Sequence, residues 1–159
     1  MHKLVGSIIV MLASVYIGIG KYYQLSERKR ILLLIRHGSE KIRSNLRCMC
    51  LPLYECFLLG GEFFSLAANE IESGMLPADA LKKVANRLSP LKKSDKEIIF
   101  RFADGLSADD CKGQIANIEL FISETDKNIK EAKEELNCRG QLFIKGSILS
   151  AAAVILLLI

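Results

Sequence analysis

Residues 107–136 read SADDCKGQIANIELFISETDKNIKEAKEEL. Ile115, Ile118, Ile122, Ile129, Ala132 and Leu136 step by three and four, with Thr125 filling the place between Ile122 and Ile129. That spacing draws one apolar stripe down an α-helix about six turns long. A helix that is apolar on one side must bury that side against other helices, so the stretch predicts a helical bundle. Ser107 followed by Asp110 predicts the cap at its start, a capping box with a shortened acid. No proline or turn cluster follows. The helix is therefore expected to run on through Gly140, a residue type about 1 kcal/mol worse than alanine in a helix interior.

Beyond it, Leu142 to Ile159 carry Lys145 as their single charge and finish on AAAVILLLI, apolar on every face rather than along one stripe. At the other end, Leu4 to Gly20 (LVGSIIVMLASVYIGIG) hold no charge and lie between Lys3 and Lys21. As a helix they measure about 25 Å, enough to cross a bilayer when the flanking lysines snorkel to the interfaces. Tyr16, Tyr22 and Tyr23 fall where an interfacial aromatic belt belongs. Two spans are expected, dividing the chain into an N-terminal transmembrane helix (1–21), a helical bundle (22–141) and a C-terminal transmembrane helix (142–159).

The charges set an orientation. From Lys21 to Arg47 there are eight basic residues against Glu27 and Glu40, and Lys127, Lys130, Lys133, Arg139 and Lys145 lead into the second apolar segment. Both inner flanks are basic, so the bundle is expected in the cytoplasm and both termini outside. The basic stretch suits anionic lipid headgroups. It has no aromatic interleaving or nucleic-acid motif, so no nucleic-acid partner is expected. Two plainer readings compete. Residues 4–20 could be a cleavable export signal, which the basic residues after Gly20 oppose, and residues 142–159 could be a buried core helix.

Composition agrees with segregated ends. In 159 residues half are hydrophobic and a quarter charged, mean hydropathy is +0.25 and net charge +4. A disordered chain would be poorer in apolar residues, and five cysteines are too few and odd in number for a disulfide scaffold. In the cytosol Cys48, Cys50, Cys56, Cys111 and Cys138 are expected to stay as thiols.

The middle reads as helices. The first is expected to leave the membrane through Leu25, Arg28, Leu32 and Ile35 and to stop at Gly38, followed by a short helix carrying Ile42, Leu46 and Met49. Pro52 opens a helix ended by Gly60-Gly61. Another runs from Glu62 to about Ser73 with Gly74 as its stop, and Pro77 opens one ended by Pro90. Ser94 with Glu97 forms a capping box for the next helix, which carries Ile98, Ile99, Phe102 and Leu106.

Phosphate loops, dinucleotide fingerprints, zinc motifs and nucleophile elbows are absent from the sequence. His37 with Cys48, Cys50 and Cys56 could supply four metal ligands, though in no usual zinc spacing. No enzyme activity, cofactor or small-molecule substrate is expected. The residues describe a membrane-fixed helical module that holds partners.

Several motifs resemble a known family, stage III sporulation protein AB of endospore-forming bacteria. They are Lys3-Leu4-Val5-Gly6, Ile17-Gly18 and Arg28 at the start, and Pro52-Leu53-Tyr54-Glu55 in the middle. Glu72-Ser73-Gly74 with Ala80-Leu81 is similar to the hinge of type II secretion F domains, to which that family is related. Phe102, Leu106, Asp110 and Gln114 resemble the family's Phe…Leu-Gly-x-x-Asp-x-x-x-Gln stretch. Ser107 stands in place of the usual Gly, and Cys48-Met49-Cys50 replaces a Glu-Ile-x-Tyr pattern.

The resemblance implies an all-α, antiparallel, F-domain-like bundle. It also implies a non-enzymatic assembly or platform role in the secretion-like channel between mother cell and forespore. There the protein would sit in the mother-cell membrane around the forespore. It would couple a cytoplasmic ATPase, stage III sporulation protein AA, to other stage III membrane proteins. The residues transferred as partner contacts or structural motif are Pro52, Leu53, Glu55, Gly74, Leu81, Phe102, Leu106, Asp110 and Gln114. Asp110 and Gln114, four apart on one face, suggest a buried polar pair or a partner contact. Two alternative readings are a platform protein of a pilus or secretion machine outside sporulation, and a thiol or metal sensor built on Cys48, Cys50, Cys56 and His37.

Overall fold

The computed structural model describes residues 2–49, 51–107, 111–140, 142, 145, 146 and 149, with the side chains of 2–12, 14, 15, 49 and 107 outside that description. Among the described residues there are six α-helices and no strand: α1 (His2–Met49), α2 (Leu53–Leu59), α3 (Glu62–Glu72), α4 (Pro77–Arg87), α5 (Lys93–Asp104) and α6 (Cys111–Glu135). A 3₁₀ turn (Gly105–Ser107) follows α5 and a π-helical turn (Leu136–Gly140) follows α6. The chain divides into two units, Arg28–Lys130 and the remainder, Met1–Glu27 with Glu131–Ile159.

In the Arg28–Lys130 unit, α2 to α5 pack in chain order, each on the next. Along this unit's part of α1 the buried residues besides Gly38 are Arg28, Leu32, Ile35, Ser39, Ile42 and Leu46, steps of four and three that present one face. Along α6 they are Ile118, Phe121, Ile122 and Thr125; of the expected seam Ile118, Ile122 and Thr125 are buried here, and Ile115 and Ile129 are half-buried. The two buried hydroxyls are satisfied within their helices, Ser39 donating to the Ile35 carbonyl and Thr125 to that of Phe121. Arg36 pairs with Asp126 and Arg47 with Glu119. Numbers rise along α1 as they fall along α6, so the two helices are antiparallel. A run of ring contacts joins α2, α3, α5 and α6: Phe57 to Phe64, Phe64 to Phe102, and Phe102 stacked on Phe121 at 4.4 Å.

Gly38 does not end a helix; α1 passes through it to Met49. The reason is packing. A Cβ on Gly38 would lie 2.0 Å from the Gly60 carbonyl oxygen and 2.8 Å from the Phe64 ring. Gly60 in turn lies against Ile42, 2.9 Å from where its own Cβ would be. The turn between α2 and α3 thus rests on the backbone of α1, and glycine permits the approach.

Other boundaries follow local chemistry. Pro52 is the N-cap of α2 rather than its first residue, and Pro77 is the first residue of α4. Gly74 (φ 96°) closes α3 as expected. Its N–H donates to Ile71 and that of Met75 to Glu70, the paired bonds of a Schellman motif. The cap of α5 is not Ser94 with Glu97: the N-cap is Lys92, and Asp95 accepts from the Lys92 N–H at 2.9 Å. Ser107 closes the 3₁₀ turn, and the expected Ser107–Asp110 cap falls on residues 108–110, outside the described residues.

In the second unit, the π-helical turn Leu136–Gly140 replaces the continuous α-helix expected there. Gly140 is buried against Tyr22, whose ring would lie 3.0 Å from an added Cβ. Residues 4–20 belong to α1. Among the described residues no helix is long and apolar enough to cross a membrane. Most side chains of 4–20 and 142–159 lie outside the described residues, and the expected spans fall on them.

Surface ion pairs add small increments, about 0–1 kcal/mol each. Glu70 on α3 accepts from Lys83 at 2.6 Å and Arg87 at 2.8 Å, both on α4. The hydrogen bond from Lys83, helped by the charges of Lys83 and Arg87, holds the Glu70 carboxyl below its usual range. The stability this contributes is present above the ordinary glutamate value of about 4.3 and is lost as pH falls below it. A Glu70→Gln variant is therefore expected to melt below the wild type at pH 7 and to converge with it once pH has fallen through the lowered Glu70 value. A gap in melting temperature that persists once Glu70 is protonated, where both side chains are neutral, would mean that the Glu70 charge is not its source.

Candidate functional site

Arg28 and Asp95 are each 1% exposed. Arg28 sits on the stripe of α1 that continues as Leu32, Ile35 and Ile42. Asp95 sits on the stripe of α5 that continues as Ile99, Phe102 and Leu106. Each charge occupies a position where the period calls for an apolar residue.

They meet as a bidentate pair: Arg28 Nε donates to Asp95 Oδ2 at 2.8 Å and Nη2 to Oδ1 at 2.9 Å. Asn128 Nδ2 on α6 donates to Oδ1 at 2.8 Å, and the Lys92 N–H supplies the fourth bond. One carboxylate thus ties α1, α6 and the start of α5 together. Among the described residues no buried side-chain nitrogen or oxygen lacks a partner.

The chemistry of this centre is structural. A carboxylate offers about four acceptor positions, and all four are engaged, so Asp95 has none left to take a proton from a substrate. The arrangement fixes helices. Charge patterning concealed it, because Lys92-Lys93-Ser94-Asp95-Lys96-Glu97 reads as a solvated run. The signal that could have found it was the position of Arg28 and Asp95 on their stripes.

The residues singled out from sequence fall in different places. Leu81, Phe102 and Leu106 are buried. Pro52, Glu55 and Gly74 are not: Pro52 and Gly74 are exposed at a helix start and a helix end, and Leu53 and Glu55 lie in the first turn of α2, Leu53 half-buried. Phe102, Leu106 and Gln114 are brought together at the corner between α5 and α6. Gln114 Nε2 donates to the Leu106 carbonyl at 2.8 Å, and Asn117 Nδ2 to that of Phe102 at 3.0 Å. Two α6 amides thereby donate to one carbonyl in the last turn of α5 and to one in the 3₁₀ turn after it. The structure gives Gln114 this capping bond, while its expected partner Asp110 lies outside the described residues.

Among the described residues no group of three or more His, Cys, Asp or Glu side chains could hold a metal ion. His37 is exposed, with Nδ1 on the Leu33 carbonyl at 2.8 Å. Cys48 is exposed, Cys56 buried, and Cys50 outside the described residues. Burial, followed by the nearby charges of Glu55 and Cys111, pushes the Cys56 thiol up. The thiolate is the reactive form, so Cys56 is expected to resist an alkylating reagent until the chain unfolds. The exposed Cys48, Cys111 and Cys138 should react at once. Peptide mapping by mass spectrometry checks this, and prompt labelling of Cys56 in the folded chain would contradict its burial.

The fold and its polar centre define an all-α helical bundle whose buried chemistry is internal bracing. Residues 3–159 match the family model described as stage III sporulation protein AB, and the chain belongs to that family. Among solved structures it is similar to a chain described as stage III sporulation protein AB (SpoIIIAB), with 18% identity and a TM-score of 0.59, covering 69% of this chain and 96% of that one. At that identity the likeness carries the fold. Among curated proteins there is no match.

Proposed function

We propose that this protein is a membrane-anchored, non-enzymatic platform component of the secretion-like channel between mother cell and forespore. Its helical bundle would lie in the mother-cell cytoplasm and both termini outside. It would couple a cytoplasmic ATPase, stage III sporulation protein AA, to other stage III membrane proteins. The observation that carries the reading is the family match over residues 3–159, which takes in both apolar ends as well as the bundle. The basic flanks inside each apolar segment support the orientation, and the braced bundle suits a docking block.

The test is genetic. Deleting the gene in the spore-forming host is expected to abolish heat-resistant spores, and the full chain supplied in trans to restore them. The same strain carrying a reporter fused after Ile159 should show it only from outside the cytoplasm. The ATPase should co-purify with the full chain from sporulating cells. Normal spore counts in the deletion strain would overturn the role, and a reporter active only inside would overturn the orientation.

A further inference from the structure

On the surface of the Arg28–Lys130 unit a cleft of about 110 Å³ opens between α1 and α3. The α1 wall supplies Arg30, Ile31 and Leu34, and the α3 wall supplies Glu62, Phe63 and Leu66. Both walls follow one pattern: a charge, then an apolar residue one place on, then leucine four places on, the i and i+4 positions sharing a helix face. The charges are opposite, a cation on α1 and an anion on α3. Leu34 is 43% exposed and Leu66 45%, which leaves two large apolar side chains nearly half open beside each other. Arg30 and Glu62 are both exposed, and Glu62 makes no ion pair among the described residues.

We propose that this cleft is the contact surface for a second copy of the same chain, the two meeting about a two-fold axis. A two-fold contact places the same patch on both sides, so the patch must complement itself. This one does. Rotation sets the α1 wall of one copy against the α3 wall of the other, Arg30 faces the partner's Glu62 twice over, and the leucines of both walls meet between the two ion pairs. A uniformly acidic or basic partner would match one wall and be repelled by the other. The patch is small beside standard protein interfaces, so the contact is weak and transient.

Charge reversal tests the pairing with the full chain. Two differently tagged copies are co-expressed, chemically cross-linked in the membrane fraction, solubilised in mild detergent and recovered through one tag. Wild-type copies are expected to co-purify. Arg30→Glu with itself, and Glu62→Arg with itself, should each lose about tenfold in recovery, because like charges then face each other. Mixing an Arg30→Glu copy with a Glu62→Arg copy should restore it, since one of the two contacts regains full complementarity with its signs exchanged and the other keeps its original pair. That restoration also shows that both variants are folded. Unchanged recovery in the single reversals, no rescue on mixing, or no recovery of wild type would each overturn the proposal and leave the cleft to another occupant or to none.

Discussion

Replacing Asp95 with alanine is expected to destabilise the bundle by about 3–5 kcal/mol, the usual cost of breaking a buried ion pair from one side. The loss falls on the groups left behind. Arg28 is fully buried and would lose both bonds to the carboxylate, while the Asn128 amide and the Lys92 N–H would each lose an acceptor. For a chain of this size the melting temperature should fall by about 10 °C. Arg28→Met should cost less than Asp95→Ala, because the carboxylate left behind still holds two other donors. The informative variant is the pair Arg28→Met with Asp95→Leu, which fills both stripe positions with apolar side chains. A buried ion pair replaced in this way is often neutral or stabilising. The double variant is therefore expected to recover most of the stability lost by Asp95→Ala. Measured by thermal melts of the full chain in detergent, a double variant as weak as Asp95→Ala alone would show that the centre contributes more than mutual neutralisation.

Gly38→Leu is expected to be at least as damaging. Even the first carbon of the new side chain would overlap the Gly60 carbonyl at 2.0 Å and press on Phe64. The obstructing atom at Gly60 is backbone and cannot turn away by changing rotamer. Overpacking a core usually costs about 1–3 kcal/mol; an overlap with backbone should exceed that and displace the turn between α2 and α3. Gly38→Ala should show the same defect in reduced form. Both outweigh the small gain that alanine brings to a helix interior, about 1 kcal/mol. If Gly38→Ala melts above the wild type, α1 does not carry that turn so closely.

Much of the architecture is legible in the order of the residues. The three-and-four spacing from Ile115 to Leu136 announces α6, and its members Ile118, Ile122 and Ala132 are buried. Gly74 and Pro77 mark boundaries within a residue because their effects are local: a positive φ and a missing N–H act on the turn in which they sit. Gly38 misleads for a related reason. A glycine in a helical pattern reads as a stop from local propensity alone, whereas its cause here is Gly60, which comes 22 positions later and reaches it only through the fold.

The candidate site divides along the same line. Periodicity places Phe102 and Leu106 in the core, and Gln114 on the same helix face as Asp110, but says nothing of the carbonyl that Gln114 caps. The polar centre escapes it because its meaning depends on distance in space. Arg28 reads as the basic exit from an apolar segment, spaced with Leu32 and Ile35 but with no partner named, and Asp95 as one more charge in a lysine-rich run.

Helical class, the order of the elements and the apolar stripes are written in the amino-acid sequence, because each rests on periods of three and four residues and on caps a few residues long. The joining of Arg28, Asp95 and Asn128, the seating of Gly60 on Gly38 and the α1–α3 cleft come from tertiary structure alone. Those contacts span 67, 33 and 22 positions and more, and no local rule relates residues so far apart until the packing of helix faces has brought them together.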